Sequence, residues 1–312
     1  MFENGLVGVV IVTFNRLNKL KITLKSFEKQ TVKPAYILVL NNASTDETKE
    51  YLENWKLTVA TYSKYVINSD NNMGGSGGFH KGMYEALHLP AKWIWVQDDD
   101  AFPATNAIEI ATAFLNTNTD KWDSISAICG KVVNKNRIDT AHRRIIYEKR
   151  YGRILCRDVK TEMYSRDCFK INAFSYVGTV INTNKLLEVG LTNKDFFIWF
   201  DDTEHSLRLS RKGSILCIPA IEIVHNVEQS ASDTTWKNYY GVRNRLYTYN
   251  ELFSKRCFRR YYFKYWLKAR ISILMHKKIE NNQMVLSALE DARNGKLGIH
   301  KIYKPGWEPK KK

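Results

Sequence analysis

The sequence lacks several features that would assign it to a familiar class at once. Its five cysteines are scattered, and none has the CxxC spacing of a metal or redox site. We therefore expect reduced thiols in a cytoplasmic protein. The segment Phe2–Gly5 has neither the basic residues nor the apolar stretch that begin a signal peptide, so none is expected. Because no apolar run exceeds strand length, no membrane-spanning helix is expected either.

Acidic residues are scarce in one part of the chain. Residues 236–312 contain 19 Lys and Arg but only 5 Asp and Glu, whereas residues 1–235 contain 29 and 27. The net charge of +16 therefore comes almost entirely from the C-terminal quarter. This asymmetry predicts a catalytic body, residues 1–235, followed by a helical and adhesive region, residues 236–312.

Strand-like and helix-like segments alternate in the first hundred residues. The predicted strands are Leu6–Thr13, Tyr36–Leu40, Lys64–Ile67 and Trp93–Gln97, and the helices between them are Leu17–Gln30, Thr48–Trp55 and Phe79–Leu87. This order predicts an α/β fold with a Rossmann-like, mostly parallel sheet flanked by helices. Ligands of such sheets bind beyond the carboxyl ends of the strands. All four predicted strands end in polar or acidic residues.

The fourth predicted strand stops abruptly at Asp98–Asp100. Alternation along a strand would place Asp98 and Asp100 on one side and Asp99 on the other. Two carboxylates that point at the same space repel each other unless a cation lies between them. A hard divalent ion with coordination sites left for phosphate oxygens suits such a pair. An acidic turn that caps the next helix is the alternative interpretation.

A second aromatic strand is predicted at Phe196–Phe200, and it also stops at acids. The cluster contains Asp201, Asp202 and Glu204, and a helix follows at His205–Arg211. Aspartate is common at a helix N-cap. A cap explains one of these acids but not three within four positions.

Further along, two short strands are predicted at Ser214–Ile218 and Ile221–His225. Alternate residues of the second strand share one face, which places His225 at the end of an inward-facing row. A lone histidine there is usually an ordinary core residue. Beside the Asp98 and Asp100 pair, however, it is a candidate third metal ligand.

The segment Gly74–Phe79 is rich in glycine and opens the third predicted helix. Its glycines allow backbone to approach a ligand closely, and free N–H groups at a helix start attract anions. The spacing is neither a dinucleotide-binding fingerprint nor a P-loop. A flexible turn is the alternative.

The remaining segments are less regular. We predict helices at Ala107–Leu115 and Asn184–Val189 and strands at Ile125–Val133 and Phe174–Ile181. Residues 134–170 are polar and dotted with aromatics, which indicates a long insertion or a small hairpin layer near the acceptor side.

Basic and aromatic residues alternate at roughly helical spacing in Trp236–Lys278. Three interpretations compete: a solvated helix, a nucleic-acid surface, or a helix lying on an anionic membrane. The tail Lys310–Lys312 agrees with the membrane interpretation. The acidic strand ends argue against nucleic acid as a partner.

Together these motifs resemble glycosyltransferase family 2. The likeness extends over about residues 6–245 and is carried by Val9–Arg16, Asn41–Asp46, Gly74–Phe79, Asp98–Asp100, Trp199–Glu204 and His225. The family implies the GT-A fold. The glycine segment with the triple aspartate looks most like the galactofuranosyltransferase branch, which includes related rhamnosyltransferases.

The resemblance implies a role for each motif. The nucleotide-sugar donor would be bound by Thr13, Asn15, Arg16, Asn41, Asp46, Asn72, Gly74, Gly75, Ser76, Gly77, Asp98, Asp99 and Trp199. Mn²⁺ or Mg²⁺ would be bound by Asp98, Asp100 and His225. Asp202 matches the general base, while Asp201 and Glu204 would position sugar and acceptor. The base-binding loop of the family usually begins with Asp, and Asn41 in its place leaves uridine and thymidine both open. Arg243 and Asn244 are weaker candidates for phosphate contacts.

We therefore expect an inverting, metal-dependent transferase that moves galactofuranose from UDP-galactofuranose to a glycan or lipid-linked glycan of a bacterial surface polysaccharide such as a capsule. Donor contacts would lie in residues 1–104 and acceptor contacts in residues 105–235, with the protein peripheral on the inner face of the cell membrane. A rhamnosyltransferase using dTDP-rhamnose is the alternative within the family. A sugar nucleotidyltransferase and a glycoside hydrolase with paired carboxylates are alternatives from other classes. The oligomeric state is open, a homo-oligomer included.

Overall fold

The structure, a computed structural model, describes residues 5–225 and 235–309 of the chain. The segment Phe2–Asn4 and the tail Lys310–Lys312, which entered the expectations above, lie outside these ranges.

The predicted β-α alternation forms the first half of the structure. Its strands are β1 (Val7–Thr13), β2 (Tyr36–Asn41), β3 (Ser63–Asn68) and β4 (Trp93–Asp98), and its helices are α1 (Leu17–Glu28), α2 (Thr48–Leu57) and α3 (Gly74–Ala86). Strand β1 pairs in parallel with β2 and β4, and β2 pairs in parallel with β3. The carboxyl ends of four strands therefore meet along one edge of the sheet, as the sequence predicted.

The second half extends this sheet with strands of both directions. Its elements are β5 (Phe102–Pro103), α4 (Ala107–Thr117), β6 (Ile125–Asn134), β7 (Arg137–Ile138), β10 (Phe169–Ile171), β12 (Thr179–Asn182), α5 (Thr183–Val189), α6 (Asp201–Ser210) and β13 (Ser214–Val224). The strand order is β10-β13-β6-β12-β4-β1-β2-β3. Strand β12 is antiparallel to both of its neighbours, β4 and β6. Separate apolar clusters lie on the two faces of the sheet, one around Trp95 and Phe27 and the other around Tyr36 and Phe79.

A small hairpin layer occupies much of the segment 134–170, and this alternative is confirmed. Strands β8 (Arg143–Lys149) and β9 (Arg153–Asp158) form the hairpin, and β11 (Ala173–Phe174) completes a three-stranded sheet.

Three packed helices form the C-terminal region. They are α7 (Lys237–Leu252), α8 (Lys255–Leu274) and α9 (Ile279–Arg293). The predicted helical stretch is interrupted at Phe253 and Ser254, where the Ser254 hydroxyl accepts a hydrogen bond from the Cys257 amide and caps α8. Over residues 5–225 and 235–309, no helix has both the length and the apolarity to cross a membrane.

Four predicted strands are corrected by the structure. The segment Phe196–Phe200 is not a strand, because Phe197, Trp199 and Phe200 have left-handed backbone conformations with φ of 67°, 63° and 72°. In Phe174–Ile181 the extended backbone is interrupted at Gly178, where φ is +65°. The two strands predicted around Pro219 are one strand, β13, with a register shift between Ile218 and Glu222.

The glycine-rich segment is also corrected. It does not form a loop before α3, since the helix begins at Gly74 itself. A side chain at Gly78 would collide with Val12, and one at Gly82 would collide with Val10. These two glycines therefore allow α3 to lie close against β1, which apolar periodicity alone does not reveal.

Arg143 joins the main sheet to the hairpin layer. Its fully buried guanidinium donates hydrogen bonds to the carbonyl oxygens of Gly130 (2.8 Å), His142 (2.9 Å) and Val177 (2.7 Å). These carbonyls belong to three different segments, so one side chain fixes their relative positions.

We predict that Arg143→Met lowers the free energy of unfolding by about 3 kcal/mol, because three buried carbonyls lose a charged donor. Chemical denaturation measures this change. Arg137→Met, at an exposed position in β7, is the control and should shift stability by less than about 0.5 kcal/mol. Equal stability of the two variants would show that the buried guanidinium does not join these segments.

Candidate active site

A cleft of about 690 Å³ opens at the carboxyl edge of β1 and β4, between the sheet and the C-terminal region. Many residues that were predicted from separate motifs line it together. They are Thr13, Arg16, Asn72, Gly74, Gly75, Asp98, Asp99, Asp100, Trp199, Asp201, Asp202 and His225. Motifs more than a hundred residues apart thus converge on one space, as the predicted sheet edge required.

The three aspartates after β4 do not alternate in the predicted way. Strand β4 ends at Asp98, so the two-residue period does not extend over the following turn. The Asp99 carboxylate does not point away from the cleft: it accepts hydrogen bonds from the Thr13 hydroxyl (2.8 Å) and from Arg16 (3.3 Å). Asp100 accepts from Arg16 (2.9 Å) and Lys19 (3.3 Å).

Charge is unevenly distributed over these carboxylates. Burial and the nearby negative charge of Asp100 raise the pKa of Asp98 to about 7. Burial opposes ionisation of Asp100 as well, but hydrogen bonds and charge from His225, Arg16 and Lys19 hold its pKa well below the usual range. Asp100 is therefore ionised at neutral pH, and Asp98 lies next to it without a hydrogen-bond partner among the described residues.

Asp98, Asp100 and His225 have the oxygen and nitrogen atoms that a divalent cation such as Mn²⁺ accepts. His225 Nε2 lies 3.1 Å from an Asp100 carboxylate oxygen, and His225 Nδ1 is buried with no hydrogen-bond partner within the described ranges. Within those ranges no three acidic, histidine or cysteine side chains already form a metal-binding group. The donor atoms of these three side chains fit a cation in kind.

The first turn of α6 brings Asp201 and Asp202 to the opposite wall of the cleft. Burial and the charge of Asp202 raise the pKa of Asp201 to about 8, so this buried group is protonated at neutral pH. Asp202 is more accessible. Its Oδ1 accepts hydrogen bonds from the amide and hydroxyl of Thr203, and no described residue donates to its Oδ2. Asp202 Oδ2 is therefore open to a ligand in the cleft.

Several predicted site residues lie outside the cleft. Asn15 and Asp46 line an adjoining shallow pocket that shares Arg16 with the cleft. The Asn41 side chain is used within the protein, since it donates to Asn68 and accepts from the Ser44 amide.

Three further predicted residues, Ser76, Gly77 and Glu204, do not line the cleft. Ser76 is fully buried, and Gly77 packs beside Met73. The Glu204 carboxylate forms two hydrogen bonds with Arg208, at 2.7 and 3.0 Å, one helical turn further along α6. Both Glu204 oxygens are thus engaged with Arg208, and the positioning role implied for Glu204 stays a prediction.

Sequence reasoning missed some residues that line the cleft. Asn42 holds the turn before α3, accepting from the Met73 amide (3.0 Å) and donating to Asn72 (3.1 Å). Tyr176 lines the cleft floor, and Pro305 reaches it from the C-terminal tail. Asn42 directly follows Asn41 in the segment Asn41–Asp46, so this motif could have indicated it. No sequence signal pointed to Pro305.

Lys237, at the start of α7, is a further missed residue in the cleft wall. Burial and the positive charge of Arg16 lower the pKa of Lys237. No ion pair of Lys237 occurs among the described residues. Two cations that face the same cleft repel each other, so the arrangement suits an anionic ligand between them.

The aromatic segment Phe197–Phe200 forms one rim of the cleft in a strained conformation. Left-handed backbone at bulky residues costs about 1–3 kcal/mol per residue and persists only where surrounding contacts enforce it. Asn244 of α7 provides such contacts, because its Nδ2 lies 3.0, 3.0 and 2.8 Å from the carbonyl oxygens of Phe196, Ile198 and Trp199.

Arg243 strengthens this arrangement. Its guanidinium donates to the carbonyls of Asp195 (3.2 Å), Phe196 (3.1 Å) and Gly298 (2.6 Å). Arg243 and Asn244 therefore hold the aromatic rim and do not contact the phosphate region, which corrects the sequence hypothesis. Trp199 remains 45% exposed at the mouth of the cleft and packs against Gly241 of α7.

The fold and the acidic cleft define a class, the glycosyltransferases of GT-A architecture. The sequence profile of glycosyl transferase family 2 matches residues 8–175, more than half of the chain. The chain therefore belongs to glycosyl transferase family 2, and it is a glycosyltransferase.

Characterised relatives within the family are similar to this chain at modest identity. The galactofuranosyltransferase GlfT1 of Mycolicibacterium smegmatis is 28% identical over 213 residues, 68% of each chain. GlfT1 of Mycobacterium tuberculosis (strain ATCC 25618 / H37Rv) is 27% identical over 209 residues, 66% of this chain and 65% of that one. The alignment thus spans about two thirds of each relative.

Solved structures agree on the fold. GalNAc-T7, crystallised with UDP, GalNAc and Mn²⁺, superposes with a TM-score of 0.60 at 16% identity, covering 90% of this chain and 55% of that one. Residues 1–349 of Staphylococcus aureus TarS, in complex with UDP-GlcNAc, superpose with a TM-score of 0.56 at 14% identity, covering 92% and 80%.

We predict that Asn244→Ala slows sugar transfer about a hundred-fold, because a rim displaced by about 1 Å misplaces the bound sugar. The free energy of unfolding should fall by only about 1–3 kcal/mol. Steady-state kinetics and denaturation of the same preparation measure both effects. Asn250→Ala, near the other end of α7, is the matched control and should alter neither. Unchanged kinetics in Asn244→Ala would separate the rim from catalysis.

Proposed function

We propose that this protein is an inverting galactofuranosyltransferase that moves the sugar of UDP-galactofuranose to a hydroxyl of a glycan or lipid-linked glycan. The observation that carries the proposal is the convergence of two acidic clusters, Asp98–Asp100 and Asp201–Asp202, on one cleft. The galactofuranosyltransferase relatives support the choice of sugar. The bacterial surface polysaccharide, such as a capsule, belongs to the proposal as the destination of the sugar.

We assign a separate role to each of three parts of the chain. Residues 1–104 bind the donor, residues 105–235 contribute the acceptor half, and residues 236–312 form a helical region that also closes the cleft. The donor's phosphates would lie between Arg16 and Lys237, the two cations that face the cleft. Thr13, Asn72, Gly74 and Gly75 would line the nucleotide's path.

Asp98, Asp100 and His225 would hold a Mn²⁺ or Mg²⁺ ion. When bound, the ion supplies positive charge for the departing nucleoside diphosphate. Neighbours crystallised with Mn²⁺ support this expectation. Arg16 would contribute to the same stabilisation from the protein side, since it already faces the carboxylates through Asp99 and Asp100.

The transfer itself would depend on Asp202. Its Oδ2 accepts the proton of the acceptor hydroxyl as that oxygen attacks the anomeric carbon. The bond from the anomeric carbon to the diphosphate oxygen breaks on the opposite face, so the configuration inverts. Asp201, protonated next to Asp202, adds no second negative charge to this wall. Trp199 would cover the sugar at the mouth of the cleft.

The place of action follows from the acceptor. A lipid-linked glycan is presented at a membrane, so we propose that the protein works peripherally on the inner face of the cell membrane. The basic C-terminal region favours contact with anionic lipid.

We predict that Asp202→Asn abolishes transfer, with a loss of at least about a thousand-fold, because general-base catalysis contributes 10²–10⁴-fold. Binding of UDP should stay within about two-fold, since the donor's diphosphate does not need the base. Release of UDP from UDP-galactofuranose with acceptor measures the first, and isothermal titration the second. Asp120→Asn, at an exposed position, is the control. Full turnover by Asp202→Asn would overturn the assignment of the base.

We predict that UDP with Mn²⁺ raises Tm by about 2–4 °C at a hundred-fold excess over Kd, because a ligand that binds only the folded state stabilises it. EDTA should remove most of the shift, and Asp98→Asn should abolish the part that depends on Mn²⁺. A thermal-shift panel of sugar nucleotides measures these differences.

The same panel separates the alternatives. A shift with dTDP but not UDP would replace the galactofuranosyl assignment by a rhamnosyl one. Pyrophosphate release from a nucleoside triphosphate would indicate a nucleotidyltransferase. Sugar hydrolysis that persists in EDTA without a nucleotide would indicate a glycoside hydrolase.

A further inference from the structure

We propose that the exposed side of α8 and the turn of the β8–β9 hairpin form a single docking surface for an anionic lipid bilayer, hereafter the α8 surface. The inference deepens the proposed function, on which it rests for a lipid-linked acceptor. It adds the location of the contact and assigns a role to the insertion 134–170. Its test measures binding to lipid and needs no turnover.

The C-terminal half of the α8 surface is aliphatic. Leu267, Ile271 and Leu274 recur at helical spacing and are 40%, 47% and 78% exposed, and the adjacent Met275 is 55% exposed. The opposite side of α8, by contrast, packs on α7 and α9 through Cys257 and other residues. An aliphatic stripe of this length on an exposed helix face is unfavourable in water and indicates an apolar partner.

The N-terminal half of the α8 surface is basic. Helix α8 contains seven Lys and Arg and no Asp or Glu. Arg256, Arg259 and Arg260 are exposed, and none of them forms an ion pair with a residue in the described ranges. Phe263 stands between the two halves and is 59% exposed. Cations beside aromatic and aliphatic side chains on one helix face are typical of a helix in the headgroup layer of an anionic membrane.

The hairpin turn extends this surface beyond the helix. Tyr151 is 69% exposed and lines a shallow depression together with Arg256, Arg260 and Phe263. A tyrosine at that place can put its ring among lipid headgroups and keep its hydroxyl in water.

The hairpin is held against α8 by specific contacts. Gly152, with φ of +70°, lies so close that a side chain there would come within 2.7 Å of the Cys257 amide nitrogen. The Tyr261 hydroxyl hydrogen-bonds to the Ile154 amide at 3.1 Å, and Glu148 accepts from the Ser254 amide at 2.9 Å. These contacts on both sides of Tyr151 hold the hairpin turn beside α8.

The chemistry favours lipid over other partners. A nucleic acid would be bound by stacking on aromatic rings, but the exposed apolar side chains in the C-terminal half of the α8 surface, Leu267, Ile271 and Leu274, are aliphatic and suit lipid chains better than bases. A second copy of this chain would bring the same cations face to face, which disfavours self-association through the α8 surface.

The α8 surface is also well placed relative to the cleft. Helix α7 begins at Lys237 in the cleft wall and ends at Leu252, shortly before α8. Its 16 residues span roughly 24 Å, at about 1.5 Å per residue. Helix α7 thus links the cleft wall to the start of the α8 surface, and α8 packs back along it, with Arg245 of α7 donating to the Tyr265 hydroxyl of α8 at 3.3 Å.

Flotation with vesicles tests the proposal on the full-length protein. We expect binding to vesicles of phosphatidylcholine with about a third phosphatidylglycerol, little binding to phosphatidylcholine alone, and weakening between low and high salt. Arg259→Gln with Arg260→Gln should weaken binding about five-fold per charge removed. Leu267→Ser with Ile271→Ser should weaken it at least ten-fold, since two buried aliphatic side chains are lost. Tyr151→Ser should weaken it several-fold.

A matched control is available on α2. Lys56→Gln with Leu57→Ser removes one cation and one side chain that is 83% exposed, far along the chain from α8. This variant should bind vesicles like the original protein. All variants should keep the original Tm within about 2 °C and, with a soluble acceptor, the original kcat.

Two outcomes would overturn the proposal. One is equal vesicle binding by the control and the α8 variants. The other is loss of affinity for a single-stranded oligonucleotide, but not for vesicles, in the arginine variants. Vesicle binding that follows the expected order in a protein without transferase activity would uphold the α8 surface and refute only the proposed function.

Discussion

Repulsion between buried carboxylates is the constraint on which the rest of this structure depends. Asp98, Asp100, Asp201 and Asp202 line one cleft, and their combined charge would open it if nothing compensated. Two effects compensate this charge. Asp100 is paired with Arg16, Lys19 and His225. Burial keeps Asp201 largely protonated and Asp98 partly protonated near neutral pH. A cation bound there would replace protons with a charge that is useful for catalysis. This distribution of charge agrees with the proposed cation and the proposed polyanionic donor.

The C-terminal region belongs to this site and is more than an appendage to it. Helix α7 contributes Lys237 to the cleft wall and, through Asn244, fixes the strained rim that presents Trp199. The same helix leads to α8, whose exposed face is basic and aliphatic. Two consecutive helices, separated only at Phe253 and Ser254, thus join the strained rim to the proposed lipid surface. A rearrangement of α7 on membrane contact would move the rim directly, because three backbone carbonyls of the rim accept hydrogen bonds from the side-chain amide of Asn244.

The parts that sequence reasoning predicted are those governed by local periodicity. Strands β1 to β4, their connecting helices and the edge where their carboxyl ends meet follow from apolar patterns two and three to four residues apart. A shared site for Asp98 and Asp202, by contrast, was implied only by the resemblance to the family. Periodicity failed where long-range contacts decide the backbone. Phe196–Phe200 has the composition of a strand, yet its conformation is imposed by Arg243 and Asn244, nearly fifty residues away. Likewise, Gly78 and Gly82 allow α3 to pack closely against β1. The local sequence pattern cannot distinguish glycines that allow close packing from glycines that contact a ligand.

The failure at Arg243 and Asn244 is informative about how the site is built. An arginine next to an asparagine in a family that binds diphosphates suggests phosphate contacts, and charge alone supports that expectation. In the structure Arg243 and Asn244 instead donate hydrogen bonds to backbone carbonyl groups of this segment. Because the segment is neither helix nor strand, these carbonyls have no partner in regular secondary structure. Holding three aromatic residues in that conformation costs several kcal/mol, a cost that a purely structural loop would have no reason to bear. The strain is better explained by the need to keep Trp199 exposed and oriented at the cleft mouth, directly before the acids of α6. The aromatic rim and the carboxylates of α6 are therefore one unit, with the rim held by α7 and the acids held by α6.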